Sequence, residues 1–332
     1  MKKILSAIIC VALIFSVLTL VSCNKEETLK FGMGVYSVAD TAKNADGDTK
    51  GTHEAEITAA AVLVDSEGKI VKCVIDTAQN KVSHTSEGKA VATESFKTKY
   101  ELGNDYNMKL YGGSAKEWFE QVDAFCALVV GKTATEVKAL IAEGDKGTDE
   151  VLNAGCTIMI ADFVYALDAA IANAVDSEAT ADATLKLGMF TEQEASDATA
   201  EKEGKNEIET TVFAAAIGAD NKIIAASSDC VQIGFTFNTA GESTYDLTAK
   251  IVSKKDKGTN YGMSSWGTDL NGDGTVKEWN EQAAAFDAAC IGKTAGEIKS
   301  LMGENNYGTE ELQNAGCTIL VNGLVAAASK VG

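Results

Sequence analysis

Residues 116–140 read KEWFEQVDAFCALVVGKTATEVKAL, and residues 277–301 read KEWNEQAAAFDAACIGKTAGEIKSL, with 15 of the 25 positions identical. Further on, Asn-Ala-Gly-Cys-Thr-Ile at 153–158 recurs at 314–319, at the same separation. A chain that repeats two blocks in the same order is an array of like units. Within the long block, Trp118, Val122, Phe125 and Val129 fall on one helical face, as do Trp279, Ala283, Phe286 and Cys290. Gly131 and Gly292 should stop these helices, and Thr133 with Glu136, like Thr294 with Glu297, reads as a capping box opening another. Gly131-Lys132-Thr133 is not a phosphate loop, because the motif's first glycine is missing and the triplet follows a helix rather than a strand.

Upstream, each unit reads as a β-hairpin. Glu54 to Val64 alternates and then runs apolar, the turn Asp65-Ser66-Glu67-Gly68 follows, and Lys69 to Ile75 returns. The counterpart is Glu207 to Ile217, a turn at Ala219 to Asn221, and Lys222 to Ala226, with Asp76 and Gln79 recurring as Asp229 and Gln232. Aligning Lys30-Phe31-Gly32-Met33-Gly34 with Lys186-Leu187-Gly188-Met189-Phe190 marks the start of each unit. Downstream, the repeated phrase opens a closing helix that carries Phe163, Leu167 and Ile171 on one side in the first unit. The expected fold is α+β: two tandem copies of a small domain, each an antiparallel hairpin or sheet packed by helices, spanning 30–172 and 186–332 with a linker at 173–185.

The N-terminus points to a compartment. Lys2 and Lys3 precede an apolar stretch, Ile4 to Val21, too short for a comfortable membrane span. It closes with Leu20-Val21-Ser22-Cys23, which resembles the lipobox of bacterial lipoproteins. That resemblance implies a signal peptide over 1–22, an acylated Cys23 as lipid anchor in the bilayer, a tether over 23–29, and a protein held on the extracytoplasmic face of the cell membrane. The chain has 48 acidic and 29 basic residues, no arginine and no proline. Such a balance excludes nucleic-acid binding through a basic surface, and any phosphate must be held by lysines, hydroxyls or backbone N–H groups. Six cysteines follow Cys23, none in a Cys-x-x-Cys pair, and only Cys156 and Cys317 match between units; most read as small buried side chains. With two histidines, a His-rich metal site or a repeated His-dependent triad is not expected, so a hydrolase finds little support.

At the repeated phrase the chain resembles the small FMN-binding domain of the flavinylated subunits of sodium-pumping and Rnf-type redox complexes and of lipoproteins for extracellular electron transfer. Gly68-Lys69-Ile70 in the hairpin, Glu101-Leu102-Gly103, and the Trp118 helix echo that domain, which ends in Ser/Thr-Gly-Ala-Thr. Ala154-Gly155-Cys156-Thr157 and Ala315-Gly316-Cys317-Thr318 stand at that motif, with Ala and Cys where the family has Ser/Thr and Ala. The resemblance implies FMN held by Gly155, Cys156, Thr157, Gly316, Cys317 and Thr318, joined through a phosphoester to Thr157 and Thr318 by a flavin transferase, and electron exchange with a redox partner. A helix N-terminus would favour the phosphate there. The residues alone also allow a simpler reading, in which the threonines are N-cap hydroxyls and the cysteines are buried in a flavin-free binding or structural protein. One feature is confined to the second unit: an insertion, Asp269-Leu-Asn-Gly-Asp-Gly-Thr-Val, within 269–278. It looks like an EF-hand or dockerin calcium loop, with Asp269, Asn271, Asp273, Thr275 and Glu278 as candidate Ca2+ ligands.

Overall fold

A computed structural model describes residues 27–267, 274 and 276–332. The signal peptide, Cys23, and the calcium candidates Asp269, Asn271, Asp273 and Thr275 lie outside the described residues. In chain order the first unit contains β1 (Lys30–Lys43), β2 (Gly51–Val64), β3 (Ile70–His84), β4 (Ala90–Val91), α1 (Lys99–Leu102), α2 (Met108–Tyr111), α3 (Trp118–Val129), α4 (Ala134–Lys138), α5 (Asp149–Ala154) and α6 (Ala161–Ala172). After β5 (Val175–Asp176) the second unit repeats it with β6 (Thr184–Ser196), β7 (Gly204–Ile217), β8 (Ile223–Phe237), α7 (Lys254–Lys257), α8 (Met263–Trp266), α9 (Trp279–Cys290), α10 (Glu310–Asn314) and α11 (Asn322–Ala328). The protein is α+β, with two antiparallel sheets of strand order β4-β3-β2-β1-β5 and β6-β7-β8.

The apolar ends of β2 and β7 have a structural reason: both strands are covered on both faces. Ala59, Ala61 and Leu63 of β2 meet Val212, Ala214 and Ala216 of β7 in a core shared by the two sheets. The alternate residues Ala60, Val62 and Val64 face Trp118, Phe125 and Leu167 of their own helices. Phe213 and Ala215 do the same towards Trp279, Phe286 and Val325. The molecule is therefore layered helix, sheet, sheet, helix. The helical face read from sequence is the buried one, and the capping box at Thr133 and Glu136 closes on both sides. In the second unit Thr294 and Glu297 make the matching bonds, but a 3-10 turn, Ile298–Leu301, follows.

Two readings shift. Gly34, not Gly32, is the structural match of Gly188, because Lys30 pairs with Val64 where Thr184 pairs with Ile217. At each of these glycines the closing helix sits against the strand backbone, and a Cβ would overlap Ala166 O and Ala170 N at Gly34, or Ala327 O at Gly188. The stretch read as a linker is also packed: β5 pairs with β1, and Ala179 and Ala183 are buried in the shared core.

Polar groups fix how the sheets face each other. Asn80 donates to Thr210 Oγ1 at 2.9 Å, and Asn206 donates to the Ser83 carbonyl at 2.9 Å. Both histidines lie in this seam, fully buried: His53 is stacked on Phe235 with ring centroids 4.9 Å apart, and His84 on Phe237 at 4.4 Å. His53 Nε2 bonds Ser243 Oγ at 2.8 Å and His84 Nε2 bonds the Gly241 carbonyl at 3.0 Å. Burial pushes the His53 imidazole down to about 4, with His84 beside it adding in the same direction.

Candidate functional site

The repeated phrase does not open a helix. Asn153 and Ala154 end α5, and Gly155 takes the left-handed conformation (φ 99°) that terminates it, its N–H reaching the Leu152 and Val151 carbonyls. Gly316 repeats this with φ 101°. The closing helix begins at Ala161, with Ile160 as its cap, so Thr157 is not an N-cap residue. This corrects the expectation that a helix N-terminus stands behind the threonine. The nearby helix end is the C-terminal one of α5, whose dipole would repel an anion rather than attract it.

Thr157 is positioned instead by Gln121 of α3. Its N–H and hydroxyl both donate to Gln121 Oε1, at 2.8 and 3.0 Å, while the Gln121 amide donates to Ser114 Oγ at 3.0 Å and to the Lys116 carbonyl at 3.3 Å. In the second unit the Thr318 N–H and hydroxyl donate to Gln282 Oε1 at 2.7 and 2.9 Å, with the Gln282 amide donating to the Lys277 carbonyl at 2.8 Å. Gln121 and Gln282 are buried. Above each glycine lies a lysine end: a Cβ on Gly155 would overlap Lys116 Nζ, and one on Gly316 would overlap Lys277 Nζ. Glycine is favoured at both positions by its left-handed backbone, and the lysine end lies over it. The two signature cysteines point the other way. Cys156 and Cys317 are fully buried in the helix-side cores, and burial pushes their thiols up to about 11 and about 12. Their buried thiols pack as small apolar groups in these cores.

Thr157 opens on a cavity of about 1400 Å³, bounded by β1, β2, Trp118, Tyr165 and the 247–256 segment of the second unit. On its wall Lys99 Nζ pairs with Glu56 Oε1 at 2.7 Å and lies 5.4 and 5.7 Å from the ring centres of Tyr106 and Trp118. Burial alone would depress the Lys99 ammonium, but Glu56 and Tyr106 outweigh it and hold it above its ordinary range. The second unit rebuilds the set: Lys254 Nζ pairs with Glu209 Oε1 at 2.8 Å, 5.6 and 5.8 Å from the rings of Tyr261 and Trp279. Its space is divided into smaller clefts of about 430 and 330 Å³, the latter holding Thr318. In the first cavity the Asp162 carboxyl is pushed up to about 6 by burial, with Glu56 and Asp40 adding to it.

Of the calcium set, Glu278 alone is described, and its carboxylate is occupied. It accepts from the Met263 N–H at 2.9 Å, the Ser264 N–H at 3.2 Å and the Ser264 hydroxyl at 2.6 Å while capping α9. Glu117 does the same for Met108 and Lys109 in the unit without the loop.

Sequence reasoning reached Gly155, Thr157 and their counterparts but missed the glutamines, the lysines over the glycines, and the Lys–Glu pairs. Lys116, Gln121, Lys277 and Gln282 were visible as identities in the matched block; the Lys99 and Lys254 pairs join segments far apart in sequence and carried no such mark.

No family model matches this chain, and no solved structure does. The chain is similar to a chlorophenol reductase of Desulfitobacterium hafniense, 31% identical over 125 residues, a match covering 34% of this chain and 37% of that protein. The match thus spans little more than a third of the relative's length.

Proposed function

We propose that this chain is a membrane-anchored extracytoplasmic FMN-binding protein that carries electrons rather than turning over a substrate. The observation that carries the reading is the threonine setting made twice: a hydroxyl held by a buried glutamine, two residues after a left-handed glycine that has a lysine ammonium over it. Because the chain has no arginine and the local helix end has the wrong polarity, Lys116 and Lys277 are the groups suited to neutralise a phosphate at Thr157 and Thr318. A flavin fits the first cavity in size, and Trp118, Tyr36 and Tyr165 offer aromatic walls. FMN, when bound, supplies the redox chemistry, while the protein places and retains it. The similar protein's name, a reductase, agrees in chemical class. Acylated Cys23 would hold the molecule at the bilayer; among the described residues no helix is long and apolar enough to cross a membrane. The hydrogen bond that occupies each threonine hydroxyl favours a second reading, a flavin-free surface lipoprotein in which the same contact only locks the loop.

Expression with a flavin transferase separates the two. Intact mass and the visible spectrum should show up to two FMN adducts, with one lost in Thr157→Val and both in Thr157→Val/Thr318→Val. Colourless protein of unmodified mass that also fails to bind added FMN would eliminate the flavin. Calcium in the 269–278 loop remains a proposal from sequence, to be served by Asp269, Asn271, Asp273 and Thr275, with Glu278 committed elsewhere. A calcium-dependent rise in thermal midpoint that disappears in Asp269→Ala/Asp273→Ala is expected, and indifference to calcium would remove the idea.

A further inference from the structure

Cys73 of β3 and Cys126 of α3 converge with their sulfurs 3.4 Å apart, the Cys73 thiol donating to Cys126. The four other described cysteines, 156, 230, 290 and 317, are fully buried, whereas these two are half-buried. They line a cavity of about 600 Å³, large enough to admit a small molecule, whose polar lining mixes Lys72, Lys186 and Lys330 with Asp76 and Asp123. The duplication isolates the pair as a feature of one unit. At the matching positions the second unit has Ala226 and Asp287, and Asp287 there accepts the Ser228 N–H at 2.9 Å. Two thiols that come together at the wall of a cavity in one unit alone are more than the ordinary packing of small side chains.

We propose that Cys73 and Cys126 form an intramolecular disulfide that pins α3 to the central sheet of the first unit, made by exchange with a small disulfide such as oxidised glutathione. Cys126 gives up its proton and attacks one glutathione sulfur, expelling the first glutathione thiolate. Cys73 then gives up its proton and attacks Cys126 Sγ in the mixed disulfide, expelling the second. The two cysteines lose two electrons and two protons, and one oxidised glutathione becomes two reduced ones. Burial and the neighbouring thiol both raise the Cys73 pKa, so the pair exchanges slowly and serves as a lock rather than a disulfide-exchange catalyst. The helix it fixes carries Trp118 and Gln121, so oxidation would stiffen the wall that positions Thr157. This inference is independent of whether flavin binds.

The test is a peptide map of the full chain. Folded protein is treated with oxidised glutathione, alkylated in denaturant and digested with trypsin without reductant. Peptide 73–81 should appear joined to peptide 117–132 as the main form of both, separating on reduction. In Cys126→Ser the joined species should vanish, leaving Cys73 free or glutathionylated; if that variant does not fold, Cys73→Ala serves instead. Both cysteines alkylated separately, glutathione retained on either without the joined peptide, or a yield no greater than in urea-unfolded protein would each overturn the proposal.

Discussion

At the residue scale, the Lys–Glu pairs show how one arrangement acquires two energetic weights. The Lys99 side chain is 8% exposed and Glu56 19%, whereas the Lys254 side chain is 7% exposed and Glu209 38%. Removing the carboxylate strands a buried ammonium, and for a pair as enclosed as the first that costs on the order of 3–5 kcal/mol. Glu56→Gln should therefore lower the urea midpoint clearly. Glu209→Gln should lower it less, because water already screens the more open carboxylate. Equal losses in the two variants would contradict the role assigned to burial. Gln121 and Gln282 teach a related lesson. Their identity across the repeats was legible, but not that a side chain on α3 holds a threonine 36 positions later, because that contact exists only once the helix has packed.

At the element scale, hairpins and helices were legible because their apolar spacing is local: period two in the first half of β2, helical spacing along α3. The end of α5 was misread because Gly-Cys-Thr suits either a helix stop or a start, and the choice rests on whether Gly155 adopts positive φ. The glycines now separate into two kinds. Gly34 is needed because strand and helix backbones meet there, and neither can move away without unpacking the layer. Gly155 is needed for its left-handed conformation and faces only the flexible end of Lys116. Gly34→Ala should cost about 1–3 kcal/mol or more through overpacking, and Gly155→Ala only about 1 kcal/mol. Thermal or urea unfolding of both variants checks the order; a reversed order would refute the close-approach argument.

On the scale of the whole molecule, the two units are joined by a common core and a polar seam, and the seam contains both histidines. His53 is held near 4, against about 6.5 for an exposed imidazole. As pH falls below about 6.5 the unfolded chain takes up the proton first, so this contribution to stability is present at neutral pH and is lost as pH falls towards 4. Asp76, Asp162, Asp229 and Asp287, each raised to about 6 by burial, act oppositely, since the folded state binds their protons first. The histidine effect must therefore be read as a difference. Relative to His53→Gln, the native protein should lose about 2 kcal/mol between pH 7 and pH 4.5. A difference flat across that range would show that His53 is not held neutral by the seam.

The sequence by itself determined the α+β class, the internal repetition, and the strand and helix faces. Each of these is a matter of local periodicity or internal identity, which chain order preserves. Only the tertiary structure decided that the sheets pack face to face, that Gly155 ends one helix instead of starting another, and that Lys99 meets Glu56 under Trp118. It also brought Cys73 to Cys126 and each histidine to a phenylalanine of the other unit. Those contacts join residues far apart in the chain, and such partners are selected by how the layers close over shared apolar area, a property of the packed whole that no short stretch of sequence encodes.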